Sequence, residues 1–200
     1  ADASNATLSS ATIIRTNFDK ANLSSVIATS TTFTDAVATG VDLTYANLTG
    51  STLTNGDFQG ASLLLAHFDN GTISGTDFRN ALMQYSTYTS ATLTAPKWDG
   101  ADLTGANFTS ATLTRPEAVG ANFTSTTFDK TTTTNMDASN TVFDGATIKN
   151  STFTALDAPQ VSMIGTTIDW TDLGEAQLQS SDLREVIIQG SNFASANLSN

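Results

Sequence analysis

The chain keeps a period of five from end to end. Residues whose numbers leave remainder three on division by five run from Ala3, Leu8 and Ile13 to Phe193 and Leu198. Of these 40 positions, 13 are Leu, 11 Phe, five Ile, two Met, one Tyr, one Trp, six Ala and one Thr. Every phenylalanine of the chain falls in this class, and no insertion breaks the register across 200 residues. The residue two places earlier is mostly small, as at Ala21, Ala46, Ala61, Ala101, Ala106 and Ala121. A period of five is neither the strand period of two nor the helix period of 3.6. It requires a short straight segment followed by a corner, over and over. Residues two apart share a face of such a segment, so the large residue and the small one before it point inward together.

We number each unit one to five: small inward residue, outward residue, core residue, outward residue, corner. Gly and Asn recur at the corner position, as at Gly40, Gly60, Asn80, Gly100, Gly120 and Asn140, where relaxed sterics help a turn. Four units close one coil, so the 200 residues make about ten coils of 20. Exceptions to the size pattern keep the volume constant. Val26, Met136 and Leu156 are large where Ala28, Ala138 and Ala158 are small, as a close-packed interior demands. Thr133 is the one polar core residue, and its hydroxyl is expected to bond a backbone carbonyl inside.

The units Ala21-Asn22-Leu23, Ala46-Asn47-Leu48, Ala101-Asp102-Leu103, Ala106-Asn107-Phe108 and Ala121-Asn122-Phe123 carry a motif. They resemble the pentapeptide-repeat family, whose consensus is A-(D/N)-L-x-x, and the resemblance covers the whole chain. It implies an all-β fold, a right-handed quadrilateral parallel β-helix, as one domain over residues 1–200. Coils spaced roughly 4.8 Å apart would give a rod about 48 Å long.

Residues twenty apart then stack, and one column is unlike the rest. Thr12, Thr32, Thr52, Thr72, Thr92, Thr112, Thr132 and Thr152 are all threonine. Two places on stand Ile14, Thr34, Thr54, Ser74, Thr94, Thr114, Thr134 and Thr154. Across these eight rungs, within residues 11–155, neither column carries a charge. Thr fills 13 of the 40 second positions in all, yet eight of those form this one unbroken run. The column beginning at Thr7 instead reads Thr7, Ile27, Asn47, His67, Thr87, Asn107. Stiff β-branched side chains lose little freedom on binding. The ladder would be a rigid lattice of methyls and hydroxyls, about 6.6 Å between columns and about 34 Å tall.

A flat, uncharged, periodic lattice suits a periodic solid such as ice better than a charged or reactive ligand. The pattern is similar to the Thr-x-Thr faces of insect hyperactive antifreeze proteins. That resemblance implies an ice crystal surface as partner and adsorption through the paired Thr residues. Ser74 departs by one methyl, and Ile14 lacks the hydroxyl. Beyond residue 155 the ladder stops at Asp172, Gly174, Asn192 and Ala194, so residues 161–200 read as an end or contact region. The chain has no capping helix there, and an uncapped solenoid end suits a homodimer through the C-terminal coils.

Other classes find little support. Net charge is −11, with no basic stripe for phosphates, so nucleic acid is not an expected partner. No apolar run reaches the length of a membrane span. There is no nucleophile–base pair and no phosphate loop, so neither enzyme activity nor a cofactor is expected. His67 is the only histidine and Cys is absent, which leaves no metal set. The start at Ala1 is read as a targeting segment removed, hence a secreted protein. The rival reading is an acidic rod that imitates DNA, since some pentapeptide-repeat proteins bind DNA gyrase in that way. Asp19, Asp57, Asp77, Asp99, Glu117, Asp137 and Asp157 lie on one side, interrupted by Arg79 and Lys97. A non-catalytic scaffold is the third reading. Tyr45, Leu65 and Tyr85, with Leu64 and Leu82 near them, form an apolar corner that suits a contact surface and corner packing equally well.

Overall fold

The structure, a computed structural model, describes residues 1–199. Within them the chain winds as a four-sided parallel β-helix without any α-helix. The second residue of each unit pairs in parallel with its counterpart twenty residues on: Asp2 with Asn22, Thr7 with Ile27, Thr12 with Thr32, Asn17 with Val37. Each pair begins one face. The Asp2 column runs unbroken through Asn22, Asp42 and onward to Asp182, which makes ten coils, as the period demands.

Twelve segments extend this pairing from one residue to three. They are β1 (Thr12–Ile14), β2 (Thr32–Thr34), β3 (Thr52–Thr54), β4 (Thr72–Ser74), β5 (Thr92–Thr94), β6 (Thr112–Thr114), β7 (Thr127–Asp129), β8 (Thr132–Thr134), β9 (Thr147–Lys149), β10 (Thr152–Thr154), β11 (Thr167–Asp169) and β12 (Ile187–Gln189). Elsewhere an Asp or Asn at the second position commonly folds back on its own unit. Its Oδ1 accepts the N–H two residues on, as Asp42 does from Thr44 at 2.9 Å and Asn107 from Thr109 at 2.9 Å.

Every corner residue from Asn5 to Ser195 has a positive φ, between 48° and 68°. Asn, Ser and Gly are common there, yet Trp170 (49°) and Glu175 (64°) take the same conformation because the coils on either side fix it. Two kinds of corner follow. At most corners that no strand precedes, the N–H after the corner returns to the core carbonyl, as Ala46 to Leu43 at 2.9 Å, closing a type II turn. After each strand no such bond is made, and Pro96 and Pro116, which have no N–H to give, occupy that place on the Thr12 face. Pro159 stands one step before a corner, where a fixed φ suits a turn.

The core is one column of large side chains. Tyr88 stacks between Phe68 and Phe108, with ring centroids 5.2 and 4.7 Å away, and Phe108 stacks on Phe128 at 5.2 Å. Val26 with Ala28, Met136 with Ala138, and Leu156 with Ala158 are all buried, so the volume exchange read from the sequence holds. Thr133 corrects an expectation: its buried Oγ1 has no hydrogen-bond partner. It sits at the centre of β8, where neighbouring carbonyls belong to the ladder, and the orphan hydroxyl is a local cost. In the outermost coils Leu8, Ile13, Leu183 and Phe193 are only partly buried.

Candidate functional site

The Thr12 face is an eight-stranded sheet in the order β1-β2-β3-β4-β5-β6-β8-β10. Its register pairs Thr12 with Thr32, Thr32 with Thr52, and so on to Thr132 with Thr152. The second column runs from Ile14 with Thr34 to Thr134 with Thr154 in the same way. The structure therefore assembles all the threonines expected in the ladder, with Ser74, on one sheet in the expected register. Core residues between them, such as Phe33, Leu53, Ile73 and Leu93, point inward and are buried.

The hydroxyls of this face differ from many others in the molecule. Among the described residues, Thr12, Thr32, Thr34, Thr52, Thr54, Thr72, Ser74, Thr92, Thr94, Thr112, Thr114, Thr132, Thr134, Thr152 and Thr154 show no side-chain hydrogen bond within the chain. Elsewhere about half of the hydroxyls are consumed locally, while Thr127, Thr147 and Thr167, which begin β7, β9 and β11, are as free as the ladder. Thr104, Thr109 and Thr124 each donate to the Asp or Asn two residues back at 2.6 Å. Thr44 bonds Ser62 at 2.9 Å, and buried Thr31 donates to the Leu8 carbonyl at 2.7 Å. The cause lies in the sequence. With Thr at both outward positions there is no Asx side chain in the unit to accept the hydroxyl.

No ionisable side chain enters either column; the nearest, Arg15, Asp35, Arg115 and Lys130, stand on the bordering corners. The Asn17 face carries seven of the 19 acidic residues, and part of their charge is neutralised. Arg79 Nη2 lies 2.6 Å from Asp77 Oδ2. Partial burial works to raise the Asp77 carboxyl, but hydrogen bonds and charge from Arg79 overcome it and hold it below its usual range.

His67 is exposed, with Nδ1 3.0 Å from Thr87 Oγ1, which in turn donates to Asp69 Oδ2 at 2.8 Å. With the Thr87 proton committed to the carboxylate, Nδ1 of His67 carries the hydrogen and donates. No group of three His, Cys, Asp or Glu suited to a metal occurs among the described residues. Tyr45 and Tyr85 are exposed at their corner, while Leu65 between them is half-buried.

A feature not anticipated from the sequence is the second sheet, ordered β12-β11-β9-β7, on the Thr7 face. It is held from inside by hydroxyls at the first position of the next unit. Thr131 N donates to Ser151 Oγ at 3.0 Å, and Thr171 N to Ser191 Oγ at 3.0 Å. Ser151 Oγ in turn lies 2.7 Å from the Lys149 carbonyl and 3.0 Å from that of Phe128, and its one proton goes to the nearer; Ser191 Oγ lies 3.1 Å from both the Gln189 and Ile168 carbonyls. The run Thr131, Ser151, Thr171, Ser191 in an otherwise Ala-rich position was the available signal.

At the foot of the Thr12 face, Asp172 and Asn192 continue the column as single-residue pairs. A notch of about 310 Å³ opens below Thr154, floored by Asp172, Gly174, Asn192 and Ala194 and bordered by Glu175 and Ser195.

The family model for pentapeptide repeats matches the chain in eight copies, over residues 16–55, 46–84, 89–115 and 162–200. Those spans cover more than half of it, and the protein belongs to the pentapeptide-repeat family. Its structure is similar to that of QnrB1, a plasmid-mediated fluoroquinolone resistance protein, with a TM-score of 0.66 and 16% identity over 91% of this chain and 93% of that one. It is also similar to HetL, a pentapeptide-repeat protein involved in heterocyst differentiation regulation in the cyanobacterium Nostoc sp. strain PCC 7120. There the TM-score is 0.44 and the identity 20%, over 98% and 86% of the two chains. At this identity the likeness to QnrB1 concerns the fold. No curated protein matches the chain.

Proposed function

We propose that this protein binds ice through the Thr12 face and inhibits crystal growth. The observation that carries the reading is the set of fifteen hydroxyls on one charge-free sheet, none of them hydrogen-bonded within the chain. Methyl groups order cage-like water, and the free hydroxyls anchor it to the lattice. Adsorption then pins the growing front and lowers the freezing point without moving the melting point. A protein of this kind acts where ice forms, which fits secretion, and it needs no cofactor, nucleic acid or membrane. We read it as non-catalytic. We read its second partner as another copy of itself, docked through the C-terminal coils. Light scattering at high concentration tests that pairing; a monomer removes it.

Thermal hysteresis on a seed crystal tests the main reading. A freezing–melting gap with faceted or arrested growth supports it, and round crystals with no gap at high protein concentration overturn it. The second reading, an acidic rod that binds DNA gyrase, draws on the Asn17 face and on the fold shared with a fluoroquinolone resistance protein. Charge reversal at Asp57, Asp77 and Asp137 would weaken gyrase protection and leave ice growth untouched.

A further inference from the structure

Strands and type II corners in this molecule compete for the same carbonyl. Where Ile14 pairs with Thr34, the parallel pattern has the Ile13 carbonyl accept the Thr34 N–H of the next coil. Where the corner is a type II turn, the core carbonyl instead accepts an N–H from its own corner, as Leu173 does from Ala176 at 3.2 Å. An Asp or Asn at the second position favours the turn by capturing the fourth-position N–H, as Asp42 does from Thr44, although units such as Leu82 and Val142 turn without one. Eleven of the strands begin with Thr, β12 begins with Ile187, and none begins with Asp or Asn.

The end of the Thr12 face shows the competition at one residue. Asp172 Oδ1 takes the Gly174 N–H at 3.0 Å, and Asn192 Oδ1 takes that of Ala194 at 2.9 Å. The Phe153 carbonyl, which would accept from residue 174 in a ninth rung, receives no N–H among the described residues. Gly174 has no positive φ, and a Cβ there would meet first the Asp172 carboxylate, at 3.2 Å. Replacing Asp172 removes that neighbour.

We propose that Asp172 is the positioning residue that ends the ladder, holding Gly174 away from the Phe153 carbonyl by one hydrogen bond. This rests on the ice-binding reading for its functional consequence, though not for its structural part. The test is Asp172→Thr with Gly174→Thr, set beside Asp172→Asn. In the double variant the residue 174 amide transfers to the Phe153 carbonyl, and its hydrogen exchange slows by about tenfold or more. Thermal hysteresis at equal concentration rises above the parent's. Asp172→Asn keeps the Oδ1 acceptor and leaves both readouts at the parent's values. A folded double variant whose residue 174 amide exchanges as before overturns the proposal. A protected amide with unchanged hysteresis supports the role of Asp172 and overturns only its functional consequence, because the added rung would then lie outside the site. If the parent itself shows no hysteresis, the ice reading fails, and amide exchange alone still decides what Asp172 does.

Discussion

The Thr7 and Thr12 faces are neighbours on the same coils, yet they run in opposite senses. The Thr12 face is a sheet through β10 and reverts to single-residue pairs at Asp172. The Thr7 face starts with single-residue pairs at Thr7, Ile27, Asn47 and His67 and becomes a sheet only from β7. Thr7 and Thr87 show that threonine alone does not make a strand, because both lie in the turn-forming part of their column. Three-residue pairing needs a matching coil above or below, so conformation spreads along a column and stops at Asx. The two sheets also differ in what they show to solvent. Thr127, Thr147 and Thr167 stand beside Asp129, Lys149 and Asp169, and Lys149 Nζ lies 3.3 Å from Asp169 Oδ2. The eight rungs of the Thr12 face carry no such charges. A regular backbone is therefore common to both, and the chemistry of the fourth position separates them.

The largest expected effect breaks the Thr12 face itself. Thr92→Tyr with Thr112→Tyr should abolish thermal hysteresis while the β-sheet circular dichroism stays as in the parent, since both side chains are exposed. Next comes the support of the Thr7 sheet. Ser151→Ala leaves the buried Thr131 N–H without its acceptor, and chemical denaturation should show a loss of about 1–3 kcal/mol. A smaller effect sharpens the comparison: Thr147→Tyr, on the charged sheet, should leave hysteresis within error of the parent. The smallest concerns pH. The Asp77 carboxyl is depressed in the folded protein, so its contribution to stability is present above the unfolded carboxylate range and is lost as pH falls through the folded value. Melting temperature should hold from neutral pH to about 5 and fall below about 4. Hysteresis measured over the stable range should stay flat, because nothing in the ladder titrates.

Coil length, coil number, the inward residues and the rungs of the Thr12 face were all legible, because one period governs every unit. Volume exchange at Met136 and Ala138 could be read for the same reason. The Thr7 sheet escaped because it depends on the hydroxyls of Thr131 and Ser151, which lie at positions that only reveal their role once hydrogen-bond partners are known. Thr133 misled for a related reason: burial argues for a partner, but a strand centre offers no uncommitted carbonyl. That the ladder hydroxyls are free follows from the lack of an Asx in their units, a rule that only the bonds of Thr104, Thr109 and Thr124 make visible.

The two tryptophans occupy opposite situations. Trp98 is wholly buried among Phe108 and Phe123, whereas Trp170 is 63% exposed on the corner above Gly190, where any Cβ would meet its ring at 2.5 Å. The protein thus has two optical probes that report separately. A collisional quencher such as acrylamide should reach Trp170 and spare Trp98. On warming, fraying of the last coil should shift the emission of Trp170 while Trp98 still emits as in the cold. Whether this rod melts from its end or all at once can be read from its own fluorescence, with no label attached.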